Sequence, residues 1–261
     1  MTANEPGVGS GMPTVLVVGA TGSIGRLVVA QSLAAGLETR ALVRDETKAG
    51  DLPDGAQVFV GELTNADSLR SAVAGVTGVV FTHGSHGDAQ AAEDVDYGAV
   101  RNVLSVLQAP VRIALMTTIG VTKHTPGHDW KRRGERLVRA SGLPYTIVRP
   151  GWFDYNDPDQ RRLVMLQGDT RWASDPSDGV VSRAQIAQVL LASLTSQAAD
   201  RKTLELVAGP GAAHSDLEPL FAALRPDPVD ALDAVLDRDN LPLAGEPREV
   251  VTELDAVRGR F

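Results

Sequence analysis

The amino-acid sequence predicts an α/β fold in which helices cover both faces of a doubly wound parallel sheet. Between residue 14 and about residue 150, short apolar runs alternate with segments of helical periodicity. The first run, Val15–Val18, is continuous and rich in β-branched residues, which is typical of a parallel strand buried on both faces. This alternation fits βαβ units with right-handed crossovers, and such units build a parallel sheet.

The individual elements follow from the same patterns. Apolar, β-branched runs predict strands over residues 15–18, 39–43, 58–60, 78–82, 111–116 and 145–148. Helical spacing predicts helices over residues 24–33, about 89–108 and about 130–140. Thr64–Leu69, between the third and fourth strands, has the residues of a helix start.

The chain changes character after Pro150. Residues 151–179 are rich in turn residues, and the sequence from about Asp227 onward is acidic and helical in tendency. Capping boxes are predicted for Ser182 with Gln185 and for Ser215 with Glu218.

We expect one domain over residues 13–261, preceded by a flexible lead-in of residues 1–12. In an open parallel sheet the ligand binds beyond the carboxyl ends of the strands. Residues 151–261 are therefore expected to form a substrate-side cap of loops and helices at that edge.

Composition narrows the class of partner. Lysine and arginine number 25 against 33 acidic residues, a net charge of −8, so the chain lacks the basic surface that nucleic-acid phosphates require. No apolar run is long enough to predict a membrane span, and without cysteine there is no thiolate nucleophile or cysteine-bound zinc. We expect a cytoplasmic protein acting on a small molecule.

The turn Gly19–Gly25 reads Gly-Ala-Thr-Gly-Ser-Ile-Gly and joins the first strand to the first helix. In this context the first glycine permits the tight turn, the second lets the backbone approach a diphosphate, and the third packs helix on strand. The helix N-terminus offers N–H groups and its positive dipole end to the phosphates. The turn predicts a nicotinamide dinucleotide site with contacts from Gly19, Thr21, Gly22, Ser23, Ile24 and Gly25.

The choice of dinucleotide is predicted from the end of the second strand. An acidic side chain there accepts hydrogen bonds from a ribose 2′-hydroxyl, whereas an arginine accommodates a 2′-phosphate. The strand ends with Arg44 followed by Asp45. NADP(H) is favoured, and NAD(H) remains open.

Motifs in the same order and spacing resemble the short-chain dehydrogenase/reductase superfamily, in its atypical NAD(P)H-binding branch with a Rossmann fold. They are Gly19–Gly25, Leu42–Asp45, Gly61–Thr64, Thr117–Val121, Trp130–Leu137 and Ser141–Gly151. The likeness covers roughly residues 13 to 208. Members of this branch include reductases of carbonyls, quinones and flavins, and also regulators that bind the dinucleotide without turning it over.

The resemblance implies roles for particular residues. It assigns the adenine to Glu62 and Leu63, and the ribose and nicotinamide side to Thr82, His83 and Gly84. It assigns the catalytic hydroxyl to Thr117 or Thr118. It also implies that Lys131 binds the nicotinamide ribose and that Pro150 and Gly151 pass along the ring.

One catalytic position departs from the superfamily pattern. The usual tyrosine four residues before the lysine is replaced by Gly127, and no tyrosine lies between Tyr97 and Tyr145. The proton donor is therefore missing or comes from elsewhere. His128, in the loop before the Lys131 helix, is a candidate because the pKa of an imidazole lies near neutrality.

Other side chains have competing interpretations. Trp152 and Phe153, with Trp172, either form the wall of an apolar substrate pocket or pack the cap onto the core. Four histidines could face one sheet edge, but no metal-binding spacing connects them, so no metal site is expected; they are His83, His86, His124 and His128.

Three functions are consistent with the sequence. The first is an NADPH-dependent reductase of a small carbonyl, quinone or related electrophile, using Thr118 and Lys131. The second is a dinucleotide-binding regulator without turnover, which the glycine at position 127 suggests. The third is an epimerase or isomerase that uses the cofactor transiently.

Overall fold

The computed structural model describes residues 12–85 and 88–261, so all of the predicted lead-in except Met12 lies outside the described residues. The strands are β1 (Thr14–Val18), β2 (Glu38–Val43), β3 (Gln57–Val60), β4 (Gly78–Phe81), β5 (Arg112–Met116), β6 (Tyr145–Pro150), β7 (Trp152–Phe153), β8 (Arg162–Leu166), β9 (Val180–Val181) and β10 (Lys202–Gly209). The helices are α1 (Gly25–Ala34), α2 (Arg70–Val73), α3 (Ala89–Ala91), α4 (Gly98–Val106), α5 (Pro126–Ala140), α6 (Arg183–Thr195), α7 (Glu218–Ala222) and α8 (Arg248–Val257).

The strands form one sheet with its order reversal beside β1. Strands β3, β2, β1, β4, β5, β6 and β10 lie side by side in that order, and each neighbouring pair is parallel. β8 and β9 pair antiparallel with β10, and β7 pairs with β9. The chain moves outward from β1 to β3 and then crosses back to β4, which opens a crevice at the carboxyl ends of β1 and β4. The predicted doubly wound parallel sheet is confirmed.

Alternating residues of β1 show why its apolar run forms a central strand. Leu16 and Val18 belong to the core on the face covered by α4, α5 and α8. Val15 and Val17 belong to the core on the opposite face, against α1 and α6. Because both faces are buried, every position of the strand must be apolar, and this gives the continuous run seen in the sequence.

Helix α5 begins at Pro126, four residues before the predicted start near Trp130. The hydroxyl of Thr125 accepts the N–H of His128 at 3.2 Å and caps the helix, and proline occupies the first turn. The additional turn places His128 on the helix instead of in a loop.

The two predicted capping boxes have different outcomes. Ser182 and Gln185 form the reciprocal box that starts α6, as predicted. The predicted box of Ser215 and Glu218 is wrong, because no side chain caps α7. The N–H of Glu218 donates instead to the carboxylate of Asp216 at 2.9 Å, in a local aspartate turn before the helix.

The helix predicted over about residues 89–108 is present with an interruption. A π-helical turn, Ala92–Tyr97, separates α3 from α4. This turn lies against α5 and contributes Asp96 and the buried Tyr97 to that contact.

The acidic segment 227–246, named here the acidic strap, is mostly turns, and α8 follows it. Its carboxylates form ion pairs with arginines of α5 and β6. These contacts hold the segment in an irregular conformation, so the predicted helical tendency is not realised there. Together with acids of α5 and β10, the carboxylates form a buried ionic cluster of Glu135, Arg139, Arg149, Glu205, Asp227 and Asp237.

Arg149 is the centre of the buried ionic cluster. Its guanidinium donates to Asp237 through two hydrogen bonds of 2.7 Å and to Glu135 at 2.6 and 3.0 Å. Arg139 lies between two carboxylates of the cluster: its guanidinium is 3.2 Å from Glu135 and 3.3 Å from Asp227. Buried charges are tolerated only when they are paired in this way, so the cluster fixes the acidic strap to the sheet.

Among residues 12–85 and 88–261, we find no helix whose length and apolarity would let it cross a membrane.

Candidate functional site

The glycine turn follows β1 at the crevice, and its geometry requires glycine. Gly19 has φ +86°, and a Cβ built there would lie 2.7 Å from the backbone nitrogen of His83. A Cβ on Gly25 would lie 2.1 Å from the carbonyl oxygen of Gly19. Both positions therefore exclude any side chain, as predicted for a turn that brings helix and strand together.

The first turn of α1 has backbone N–H groups that no helical carbonyl can accept. Gly22 donates to the carbonyl of Gly19 at 2.9 Å, and the following bonds run from Arg26 to Gly22 and from Val28 to Ile24. The N–H groups of residues 23 and 24 precede the first of these helical donors. They lie at the positive end of the α1 dipole, where an anionic diphosphate binds favourably.

A cleft of about 390 Å³ lies over the turn and the ends of β1, β2 and β4. It brings together most of the residues predicted to bind the dinucleotide, namely Gly19, Thr21, Gly22, Ser23, Ile24, Arg44, Glu62, Leu63, Thr82, His83 and Gly84. Gly25 supports the turn from behind, whereas Pro150 and Gly151 line a neighbouring cavity.

The adenosine end of the cleft carries positive charge. Arg44 and Lys48 both line it. The carboxylate of Asp45 instead accepts the backbone N–H of Thr47 at 2.9 Å, and this hydrogen bond lowers the pKa of Asp45. Asp45 is thus used as the cap of the short helical turn that follows β2.

Lys131 lies beside the cleft in an ion pair. Its Nζ is 2.8 Å from Oδ1 of Asp96, and Asp96 also accepts the N–H and the hydroxyl of Ser85 at 2.9 and 2.6 Å. The lysine therefore holds the chain segment after β4, and its predicted contact with the nicotinamide ribose stays a prediction.

His83 is a buried neutral imidazole in the wall of the cleft. Its Nε2 lies 3.3 Å from the carbonyl oxygen of Asp96, and because a carbonyl only accepts, Nε2 carries the proton. Burial lowers the pKa of His83 to about 4. Nδ1 is buried and has no hydrogen-bond partner among the described residues, so it is an acceptor available to a donor from a bound molecule.

A second cavity of about 470 Å³ adjoins the cleft, and Phe153 lines both. Its wall combines apolar and aromatic side chains with polar and charged ones. The apolar side chains are Ile119, Pro150, Trp152, Phe153 and Trp172, and the polar or charged ones are Thr118, Lys123, His128, Ser174 and Asp178. Such a surface suits a molecule that has both an apolar body and polar groups.

The two threonines after β5 point to different surroundings. The hydroxyl of Thr117 donates to Glu135 at 2.7 Å and so belongs to the buried ionic cluster. Thr118 lines the second cavity, where its hydroxyl lies 3.2 Å from the carbonyl of Ile119. Of the two candidates, Thr118 is the one that a substrate in this cavity could reach.

His128 also lines the second cavity. Its Nδ1 lies 3.2 Å from the carbonyl oxygen of Lys123, so Nδ1 carries the proton in the neutral ring, and no described residue is bonded to Nε2. His124 is bound to Asp129 and to the carbonyl of Asn240 instead. Of these two histidines, His128 is therefore the one that lines the second cavity.

Within the described part of the chain, no three His, Cys, Asp or Glu side chains are grouped to hold a metal ion. His86, one of the four histidines considered from the sequence, lies outside the described residues.

Comparison with known proteins identifies the family. A family model described as "NAD(P)H-binding" matches residues 19–197, which include the glycine turn, the cleft and Thr118. The chain belongs to this NAD(P)H-binding family. The predicted NAD(P)H-binding character of the chain is thereby confirmed.

Relatives of this NAD(P)H-binding protein differ in activity. Sanguinarine reductase from Eschscholzia californica is 23% identical over 80% of this chain and 95% of the relative. A photosystem II assembly factor from Cyanophora paradoxa is 28% identical over 74% of this chain and 63% of the relative. The solved structure of a putative NAD-dependent epimerase/dehydratase from Bacillus halodurans has a TM-score of 0.65 and 22% identity over 82% of this chain and all of that chain. At that identity the structural likeness shows the fold alone.

The residues of this NAD(P)H-binding protein fit a dinucleotide. Gly19 and residues 21–24 of the turn line the cleft, and Nδ1 of His83 is a buried acceptor for which the described residues provide no donor. The turn and Ser23 would hold the diphosphate, and Arg44 with Lys48 would face the adenosine end.

Several residues that organise this site were not found by sequence reasoning. Asp169 accepts the N–H groups of Gly120 and Thr122 at 2.6 Å each and so fixes the loop after β5. Lys123 donates to the carbonyl of Trp172 at 3.0 Å and holds this aromatic wall. For Arg149 there was a signal, since a charged residue interrupts the apolar strand Tyr145–Pro150 and is completely buried.

Proposed function

We propose that the protein is an NADPH-dependent reductase of a small carbonyl compound, a quinone or a related electrophile. The observation that carries the proposal is the shared wall at Phe153, which connects the dinucleotide cleft to a second, aromatic cavity. A molecule in the second cavity would lie next to the nicotinamide end of the cleft. The residues around it then supply what a carbonyl reduction requires.

The chemistry needs a hydrogen bond and a proton at the substrate oxygen. A dinucleotide held in the cleft would supply the hydride for the reduction. The hydroxyl of Thr118 can turn from the Ile119 carbonyl and donate to the oxygen as negative charge develops there. His128, protonated at both nitrogens, can deliver a proton from Nε2 to the same oxygen while Nδ1 stays bonded to Lys123. In this proposal His128 replaces the superfamily tyrosine, whose place Gly127 occupies.

The preference for NADPH over NADH is part of the proposal. Arg44 and Lys48 line the adenosine end of the cleft, and Asp45 is occupied by the N–H of Thr47. A 2′-phosphate at that end would therefore meet the two cations Arg44 and Lys48, and Asp45 is not among the cleft-lining residues. We also propose that residues 151–261 form the substrate-side cap, since their first part contributes Trp152, Phe153 and Trp172 to the wall of the second cavity.

Steady-state kinetics on a panel of carbonyls and quinones tests the proposal. We expect saturable NADPH oxidation with at least one member, and a loss of kcat/KM on the order of 100-fold in His128→Gln. Thr118→Val should lose a similar factor because an oxyanion donor is removed. His124→Gln is the matched control, since His124 does not line the cavity, and it should retain wild-type rates.

Tight NADPH binding without turnover across a broad panel would overturn the proposal. That outcome would support a regulator that binds the dinucleotide, for which the glycine at position 127 is the favouring observation. If activity is unchanged in both His128→Gln and Thr118→Val, the protein is still a reductase, but the catalytic roles proposed for these two residues are refuted.

A further inference from the structure

Arg183 is a basic residue outside the family's glycine turn that nevertheless contacts it. It is the first residue of α6, which packs on α1, and its Nε donates to the hydroxyl of Ser23 at 3.0 Å. The two residues are 160 positions apart in the sequence. The fold thus brings a cation from the second half of the chain onto the turn that faces the diphosphate.

The same guanidinium is in contact with the loop after β6. Asp154 forms an ion pair with Nη1 and accepts the backbone N–H of Arg183 at 2.9 Å. The guanidinium carbon lies 5.3 Å from the ring centroid of Phe153. Ser23 and Phe153 both line the dinucleotide cleft, so the guanidinium of Arg183 contacts two residues of the cleft lining.

The cationic side chains in the described lining of the cleft do not lie at its diphosphate end. The basic residues in the described lining besides the neutral His83 are Arg44 and Lys48, at the adenosine end. Arg26 also touches the turn, but it donates to the carbonyl of Thr21 and pairs with Asp51 at 3.0 Å. Arg26 and Arg183 are thus both paired with a carboxylate, but Arg183 is the one whose guanidinium donates to the hydroxyl of a cleft-lining residue, Ser23.

We infer that Arg183 binds the diphosphate of the dinucleotide and exchanges Asp154 for phosphate oxygens when the cofactor enters. An arginine fork matches two phosphate oxygens, and charge-assisted bonds of this kind are stronger than an exposed ion pair with a carboxylate. Asp154 is about half exposed, so it can be released to water. Arg183 is thus a cofactor-binding residue supplied by the cap side of the cleft, and Asp154 is its competitor.

The roles of Arg183 and Asp154 predict opposite effects on cofactor binding, measured as Kd for NADPH and NADH by titration calorimetry. Arg183→Gln should raise both Kd values about tenfold, which corresponds to about 1.4 kcal/mol. Asp154→Asn should lower both by about two- to fourfold. Asparagine tolerates the left-handed φ of +58° at this position and keeps an oxygen for the Arg183 N–H. The NADPH-to-NADH ratio should not change in either variant, because both cofactors contain the diphosphate.

Arg161→Gln is the matched control. Arg161 is exposed on the same side, and only its backbone carbonyl contacts α6, through Gln185 at 3.1 Å. The Arg161→Gln substitution removes one positive charge from the cap without removing a contact to the glycine turn. The dependence of Kd on salt should also become weaker in Arg183→Gln and remain as in the wild type in Arg161→Gln.

Two results would overturn the inference. The first is Kd values in Arg183→Gln equal to those of the control. The second is weaker binding in Asp154→Asn, which would mean that the ion pair holds the loop for the cofactor instead of competing with it. If Arg183→Gln does not fold, Arg183→Lys provides the test, because lysine keeps the charge but lacks the fork and should raise Kd about threefold. Binding is measured without turnover, so the inference stands or falls separately from the reductase proposal.

Discussion

Replacing Glu205 with glutamine should stabilise the protein at mildly alkaline pH and have little effect in acid. Glu205 is buried on β10, and burial raises its pKa from 4.5 to about 8, although Arg149 is 3.5 Å away. Arg149 is already neutralised by Glu135 and Asp237, so a further carboxylate beside it gains little attraction. The protonated, neutral acid is therefore the form that suits this site.

The magnitude follows from proton linkage. In the unfolded chain Glu205 loses its proton near pH 4.5, whereas the folded protein retains it to about pH 8. The stability gained from the raised pKa is thus fully present below the lower value and is lost as the pH rises toward the upper one. The slope approaches about 1.4 kcal/mol per pH unit, and the total loss is on the order of 4 kcal/mol.

Urea unfolding at a series of pH values measures this effect. Glutamine is neutral throughout, so the unfolding free energy of Glu205→Gln minus that of the wild type should rise steadily between about pH 5 and pH 8. Glu249→Gln, at an exposed glutamate of α8, is the control and should differ from the wild type by a constant. A difference for Glu205→Gln that does not change with pH would refute the assigned protonation of the cluster.

Three further predictions concern the cofactor and the acidic strap. Gly22→Asp should abolish dinucleotide binding, because the new carboxylate would face the diphosphate. The chain should still fold, since a Cβ at this position approaches only the Gly19 carbonyl, at 3.2 Å. Undiminished binding by calorimetry would contradict the phosphate role of the turn. Arg44→Ala should weaken NADPH by about tenfold and NADH hardly at all, and equal losses would show that it does not bind the 2′-phosphate. Asp237→Asn should lower the unfolding free energy by about 3 kcal/mol, since it leaves the buried Arg149 underpaired; a thermal midpoint equal to the wild type would contradict this.

The strands and the glycine turn could be predicted from the sequence because their signals are local. A strand buried on both faces must be apolar at every position, and the turn must exclude a Cβ at Gly19 and Gly25. The helix start at Pro126 also has a local cause, the cap by Thr125 followed by proline in the first turn. These features depend on neighbours within a few residues, and sequence patterns record such neighbours well.

The candidate site was less predictable because its contacts are long-range. Thr117 and Thr118 are adjacent, and only the twist of the chain after β5 decides which faces the cavity and which faces Glu135. Likewise, the contact of Arg183 with Ser23 depends on the packing of α6 against α1. No local pattern contains that information.

The buried ionic cluster has a consequence for how far the protein can be shortened. The family match ends at residue 197, but β10 and the acidic strap, which lie beyond it, provide Glu205, Asp227 and Asp237. A fragment ending at residue 197 would expose one flank of β6 and leave the guanidinium groups of Arg139 and Arg149 facing an apolar interior with Glu135 as their shared counter-ion. We therefore expect the folding unit to extend beyond the segment that the family model matches, because Asp227 and Asp237 in the last quarter of the chain neutralise these guanidinium groups.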